Sequence, residues 1–221
     1  QTDLRGRRSF YARVAAMLPP YVVIEKAVGE TPLACLDRLR TSDPRLTDVP
    51  LAYAGRLDPL ASGKLLVLIG EECKRQNEYH QFDKAYEFSI LCGVASDTGD
   101  VMGRLSFVDP PLFPTISQIT TGLASFCGPL QLPYPVYSSK PVHGVPLHTW
   151  AAEGRLEEVE IPLQDGYVYT LCFHNAYSLN RSEVADIAHT KIDTIPPVTE
   201  VRKALGNDFR RTDIRHDWDD F

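Results

Sequence analysis

The chain has 221 residues, 43% of them hydrophobic and 24% charged, enough to enclose a substantial apolar core. A net charge of −6 excludes a nonspecific nucleic-acid coat, whose affinity comes from many Lys/Arg–phosphate contacts. A local basic cleft remains compatible with it, because the field at a site depends on where charges sit. No apolar run approaches the ~20 residues of a membrane span. The five cysteines, Cys35, Cys73, Cys92, Cys127 and Cys172, are widely spaced and form no CxxC pair. That argues against a metal site and against a disulfide framework. Several lie in apolar stretches and are expected in the core, in a reducing, cytoplasmic setting.

Residues 1–19 form a basic extension with Arg5, Arg7, Arg8 and Arg13, closed by Pro19-Pro20. Two readings of it stay open: the remnant of an organelle-targeting segment, or an arm that touches RNA. Residues 20–221 read as one domain. Tyr21–Ile24 is a β-branched strand. Thr31-Pro32 reads as an N-cap and first helical residue, followed by the apolar stripe Leu33, Leu36 and Leu39. Residues 51–63 are rich in turn formers and run into a buried strand, Leu65–Ile69.

Tyr86, Phe88 and Ile90 alternate with polar residues, which predicts a half-buried strand. Asp97–Gly103 is a turn-rich loop. Ser117–Phe126 has helical spacing of Ile119, Leu123 and Phe126. A short helix near residues 147–153 stops at Gly154. Tyr167, Tyr169, Leu171 and Phe173 predict another alternating strand, and helical pieces are expected around Val198–Leu205 and Thr212–Trp218. The order lacks a βαβ rhythm and predicts an α+β fold with a mixed, mostly antiparallel sheet flanked by helices.

The segment that carries chemistry is Tyr53-Ala54-Gly55-Arg56-Leu57-Asp58-Pro59-Leu60-Ala61-Ser62-Gly63-Lys64. It holds an Asp in a tight loop between two glycines, anchored by an apolar strand, and such pinned loops are where catalytic groups concentrate. Arg56 is close enough in sequence to keep Asp58 ionised, and an ionised carboxylate serves as nucleophile or base. The plainer reading is that Asp58 only caps a turn.

The string from Gly55 to Gly63, followed by Leu65-Leu66-Val67-Leu68-Ile69-Gly70-Glu71, resembles the catalytic motif of TruB-type pseudouridine synthases. Four further segments are similar to that family in the same order. They are Val22–Leu36 with Lys26, Gly29 and Thr31; Asp83-Lys84-Ala85-Tyr86; Gly93 through Asp97-Thr98-Gly99-Asp100 to Gly103; and Tyr137-Ser138-Ser139-Lys140 with the helix after it.

The resemblance implies conversion of uridine to pseudouridine, with the T-loop uridine of tRNA (position 55) as the expected target. It implies no cofactor and no metal. The partner is tRNA or another structured RNA, with no membrane, and the expected state is a monomer. Asp58 is then the nucleophile, Tyr86 stacks on the flipped base and Lys84 stands beside it. Asp100 organises hydrogen bonds, and Lys140 meets RNA phosphate or the Asp58 loop.

Tyr53 stands where the family usually has His, and is placed to stack on a nucleobase. The family's Ser-Gly-x-Tyr-Ile-Arg string finds its counterpart at Gly206-Asn207-Asp208-Phe209-Arg210-Arg211, so Arg210 or Arg211 supplies the functional arginine. The C-terminal PUA domain of full-length members is expected to be absent. Two other classes stay open: a catalytically silent RNA-binding or ribosome-assembly scaffold, and a carboxylate hydrolase built on Asp58.

Overall fold

Alternation along Tyr21–Lys26 sends Val22, Ile24 and Lys26 to one face of a strand, β1, and Tyr21, Val23 and Glu25 to the other. The computed structural model describes residues 18–107, 113–197 and 211–221. The chain divides into two compact units, one of residues 1–88 with 194–196, the other of residues 89–193 with 197–221. The boundary falls inside the stretch that reads as one domain in the sequence.

In the first unit, β1 (Tyr21–Lys26) and β2 (Leu51–Ala54) flank β3 (Gly63–Ile69), both antiparallel to it. Ile24 lies opposite Leu65, and Tyr53 opposite Val67. Helix α1 (Pro32–Ser42) covers the face of Val22 and Ile24. It begins as its sequence predicts: the Thr31 hydroxyl accepts the Ala34 N–H at 3.1 Å, and Pro32 takes the first turn. Cys35, Leu36, Leu65 and Val67 form the buried cluster, with Val22, Ile24, Leu39, Leu51 and Tyr53 against it. The stripe is shifted from the expected one, since Leu33 is exposed and Cys35 takes the inward place.

Glu30 fixes the entry to α1. Its carboxylate accepts from Arg38 Nε at 2.9 Å and from the Ala27 N–H at 2.9 Å. A short 3₁₀ turn, Gly70–Arg75, and a single helical turn, α2 (Gln76–Tyr79), follow β3.

The second unit contains the hairpin β4 (Val94–Ser96) and β5 (Leu105–Phe107), helix α3 (Ile116–Ser125), and β6 (Gly128–Pro133). After these come the two-residue strands β7 (Pro141–Val142) and β8 (Val145–Pro146), helix α4 (Leu147–Ala152), and β9 (Leu163–Val168), which pairs with β6. Helices α5 (Arg181–Thr194) and α6 (Arg211–Asp219) end the unit and bury Val184, Ala188, Ile192, Ile214 and Trp218 together. Every ladder among the described residues is antiparallel, so the fold is α+β as expected.

Two expected strands differ. Residues 83–91 carry no ladder, and Tyr86, Phe88 and Ile90 are 70%, 62% and 71% exposed. The strand predicted through Phe173 ends at Val168. Alternation makes a segment able to be a strand, but only a hydrogen-bonding neighbour makes it one. The cysteine expectation holds for Cys35, which is buried; Cys92, Cys127 and Cys172 are exposed. The helical piece expected at Val198–Leu205 lies outside the described residues.

The Arg38 hydrogen bond, then the Ala27 N–H, hold the Glu30 carboxyl at about 2, against an ordinary 4.5. A depressed carboxyl adds stability above its unfolded value and loses it as pH falls through its folded value. The pair is partly exposed, so it is worth about 1 kcal/mol or less. The stability difference between wild type and Glu30→Gln is therefore expected to be full near neutrality and to close between pH 4.5 and about 2. Urea unfolding at stepped pH reads it, and a pH-independent difference contradicts the assignment.

Candidate active site

Asp58 stands in the loop of residues 55–62 that joins β2 to β3. Gly55 (φ +96°) and Gly63 (φ +143°) bracket it in a backbone region that side chains disfavour. Asp58 Oδ1 accepts the Leu60 N–H at 2.8 Å, and its carbonyl accepts the Ala61 N–H at 2.9 Å. The turn-capping role is thus real, for one oxygen. The side chain is exposed, and Oδ2 has no hydrogen-bond partner among the described residues. One oxygen orients the carboxylate; the other is reachable.

The loop is gripped from β1 and the turn after it. Lys26, only 1% exposed, donates from Nζ to the Ala61 carbonyl at 2.5 Å and to the Ala27 carbonyl at 3.1 Å. The Gly29 N–H donates to the Pro59 carbonyl at 2.8 Å. Two carbonyls of the loop are therefore fixed just after Asp58. Burial pushes the Lys26 pKa down, while its interactions with Cys35, Asp58 and Glu30 push it back up.

Sequence reasoning singled out Arg56 and gave Lys26 no role of its own. Arg56 is exposed on the loop. The signal for Lys26 was present: a lysine in phase with Val22 and Ile24 on an otherwise apolar strand face must be buried. A buried lysine needs acceptors and an anion.

The other expected site residues fall as follows. Tyr53 packs its ring against the Cys35–Leu36–Leu65–Val67 cluster, and its carbonyl accepts from Gln76 Nε2 at 2.7 Å. Lys84 Nζ donates to the His80 carbonyl, and Tyr86 is exposed two residues on. The aromatic groove of Tyr21, Val23, Leu66, Tyr79 and Phe82 includes the β1 residues whose phase is opposite to that of Lys26.

In the second unit, Asp100 Oδ1 accepts from the Thr98 hydroxyl at 2.7 Å and the Met102 N–H at 2.8 Å. It organises its own loop. Lys140 lies over the Tyr134 ring, 4.4 Å from its centroid. Arg211 donates to the Ile192 carbonyl at 3.1 Å, tying α6 to the end of α5. Arg210 lies outside the described residues.

Comparison with known proteins identifies the frame. The family described as TruB family pseudouridylate synthase (N terminal domain) matches residues 47–190, which include the whole Asp58 loop. The chain belongs to the TruB family. Among curated TruB-type relatives, tRNA pseudouridine synthase B of Caldicellulosiruptor saccharolyticus is 29% identical over 203 residues, covering 85% of this chain and 67% of its own. The enzyme of the same name from Trichormus variabilis is 32% identical, covering 68% of this chain and 50% of its own. tRNA pseudouridine synthase 4 of Schizosaccharomyces pombe is 36% identical over 119 residues, covering 53% and 29%. The chain thus spans two thirds of the first of these and half or less of the others.

The TruB match ends at residue 190, short of Gly206–Arg211. Inside it, Arg181, four residues after Tyr177, opens α5. Asn180 and Glu183 cap that helix reciprocally, at 2.8 and 2.9 Å. An Asn followed three residues later by Glu was the overlooked sequence signal for this helix.

Lys26→Met removes the donor to Ala61 without shortening the side chain. The abandoned carbonyl is expected to cost about 1–3 kcal/mol of stability. Hydrogen exchange at Leu60 and Ala61 is expected to accelerate while α1 stays protected. Unchanged exchange in the loop contradicts the clamp.

Proposed function

We propose that this TruB-family chain is an RNA pseudouridine synthase that acts on the T-loop uridine of tRNA, with Asp58 as nucleophile. The observation that carries this reading is the Asp58 carboxylate itself: exposed, with one oxygen held by the Leu60 N–H and its loop tied to the buried Lys26 through the Ala61 carbonyl. Such a group is oriented before substrate arrives, which a nucleophile requires. The names of the curated relatives supply the substrate class.

The reaction balances without a co-reactant. The uracil N1–C1′ bond breaks, a C5–C1′ bond forms, the C5 proton leaves, and N1 ends protonated. The target nucleotide must first leave its stack, because C1′ and C5 cannot be approached inside it. Asp58 attacks the nucleoside, the freed uracil turns, C5 replaces N1, and the carboxylate is released. The exposed ring of Tyr86 is available to stack on an everted base, and Lys84 and Lys140 to approach RNA phosphate. The acting unit is one copy of the chain on one RNA.

An unmodified tRNA transcript tests this directly. Wild type is expected to form pseudouridine in the T-loop, and Asp58→Asn to lose turnover by about a thousandfold or more while still binding the transcript. A wild type that binds tRNA and modifies nothing establishes the scaffold reading instead. A second comparison separates the arginines. Arg181→Ala is expected to lower turnover more than tenfold, roughly, whereas Arg211→Ala acts on stability. The reverse pattern restores the assignment to Arg211.

A further inference from the structure

We infer that helix α6 is a brace for the Asp97–Gly103 loop, with Trp218 and Asp217 as positioning residues for substrate binding. The inference rests on the synthase reading only for the meaning of that loop; the contacts themselves do not involve Asp58.

The loop is internally well bonded. Asp97 Oδ1 accepts the Arg104 N–H at 2.9 Å, and Asp100 Oδ1 holds Thr98 and Met102. Gly103 is buried with no room for a side chain: an added Cβ would meet the Thr98 backbone nitrogen at 2.8 Å. Among the described residues the loop hangs on a hairpin of three residue pairs, Val94↔Phe107 to Ser96↔Leu105. A two-stranded hairpin is marginal by itself. Something else must set where the loop stands.

Helix α6 supplies that, from more than 100 residues further along the chain. The Trp218 indole N–H donates to the Val101 carbonyl at 3.1 Å, inside the loop. Asp217 takes the Arg104 guanidinium in a two-pronged grip, at 2.7 and 2.9 Å, and also accepts the Leu105 N–H at 3.0 Å. Val101, Met102 and Leu105 pack on the apolar cluster that Ile214 and Trp218 share with α5. Phe221, just past the helix, stacks on Phe107 with centroids 5.7 Å apart.

A further contact comes from the segment that carries Lys140. The Tyr137 hydroxyl donates to Asp97 Oδ2 at 3.4 Å. Asp97 thus links the braced loop to the Tyr137-Ser138-Ser139-Lys140 segment.

Magnitudes assign these bonds to positioning. Arg104 is 45% exposed, so solvent screens its pair with Asp217 and the pair adds little stability. The indole hydrogen bond adds about as much again. Losing either leaves the apolar packing of α5 on α6 in place, but frees the Val101 carbonyl or the Arg104–Leu105 corner.

The test uses the full chain as Trp218→Phe, which keeps the packed ring and removes only the N–H, and as Asp217→Asn. Amide exchange at Met102, Gly103 and Arg104 is expected to accelerate about tenfold in both, with Ile24 and Val67 in β1 and β3 unchanged. KM for tRNA is expected to rise about five- to tenfold with kcat within about twofold, the pattern of lost substrate binding. Unchanged loop exchange overturns the brace. Faster exchange with unaltered KM overturns its part in substrate binding, as does a fall in kcat that merely follows a lower Tm. A wild type that forms no pseudouridine sinks the synthase reading alone, and the Kd for tRNA then replaces KM in the same comparison.

Discussion

A lysine buried to 1% exposure is costly unless its charge is met, and Lys26 is met on several sides. Its ammonium donates hydrogen bonds to the Ala27 and Ala61 carbonyls. Because Lys26 is fixed by β1, and β1 is fixed by six paired residues of β3, the far end of the Asp58 loop inherits the rigidity of the sheet. The Gly29 N–H repeats the arrangement at Pro59. A loop built only of turn formers would wander; this one is tied to a strand that lies more than thirty residues before its tie point at Ala61.

That constraint gives the acidic composition a different meaning. Several of the acidic side chains are paired with cations of the same chain. Arg75 is bonded to Glu72 and Glu78, Arg155 to Glu153 and Glu158, and Asp217 to Arg104, while Asp219 lies 2.9 Å from His189. The acidic C-terminal helix is therefore engaged with its own unit. What an RNA would meet is set by the placement of individual cations, which a sum over the sequence does not express.

The legibility of the site differs residue by residue. Asp58 could be singled out because loop glycines, a proline and an apolar strand surround it in one short string, and short strings survive in sequence. Lys26 was legible in principle from its phase with Val22 and Ile24, but its partner lies 35 residues away. Tyr53 was expected to await a nucleobase, yet its place opposite Val67 turns its ring to the core cluster. Arg211 matched a string, and its hydrogen bond to the Ile192 carbonyl, 19 residues back, is one that no string expresses.

By itself the sequence determined the local elements with chemical start and stop signals: the Thr31 cap of α1, the buried strand β3, the turn at Asp97–Gly103 and the loop that displays Asp58. It also determined the family, since the matching strings are contiguous. Tertiary structure alone decided whether alternating segments such as residues 83–91 become strands, that Lys26 reaches the Ala61 carbonyl, and that Trp218 reaches Val101. The reason is one of range. Caps, turns and periodicity act within a few residues, whereas ladders, buried charges and braces require a partner that only the folded chain brings near.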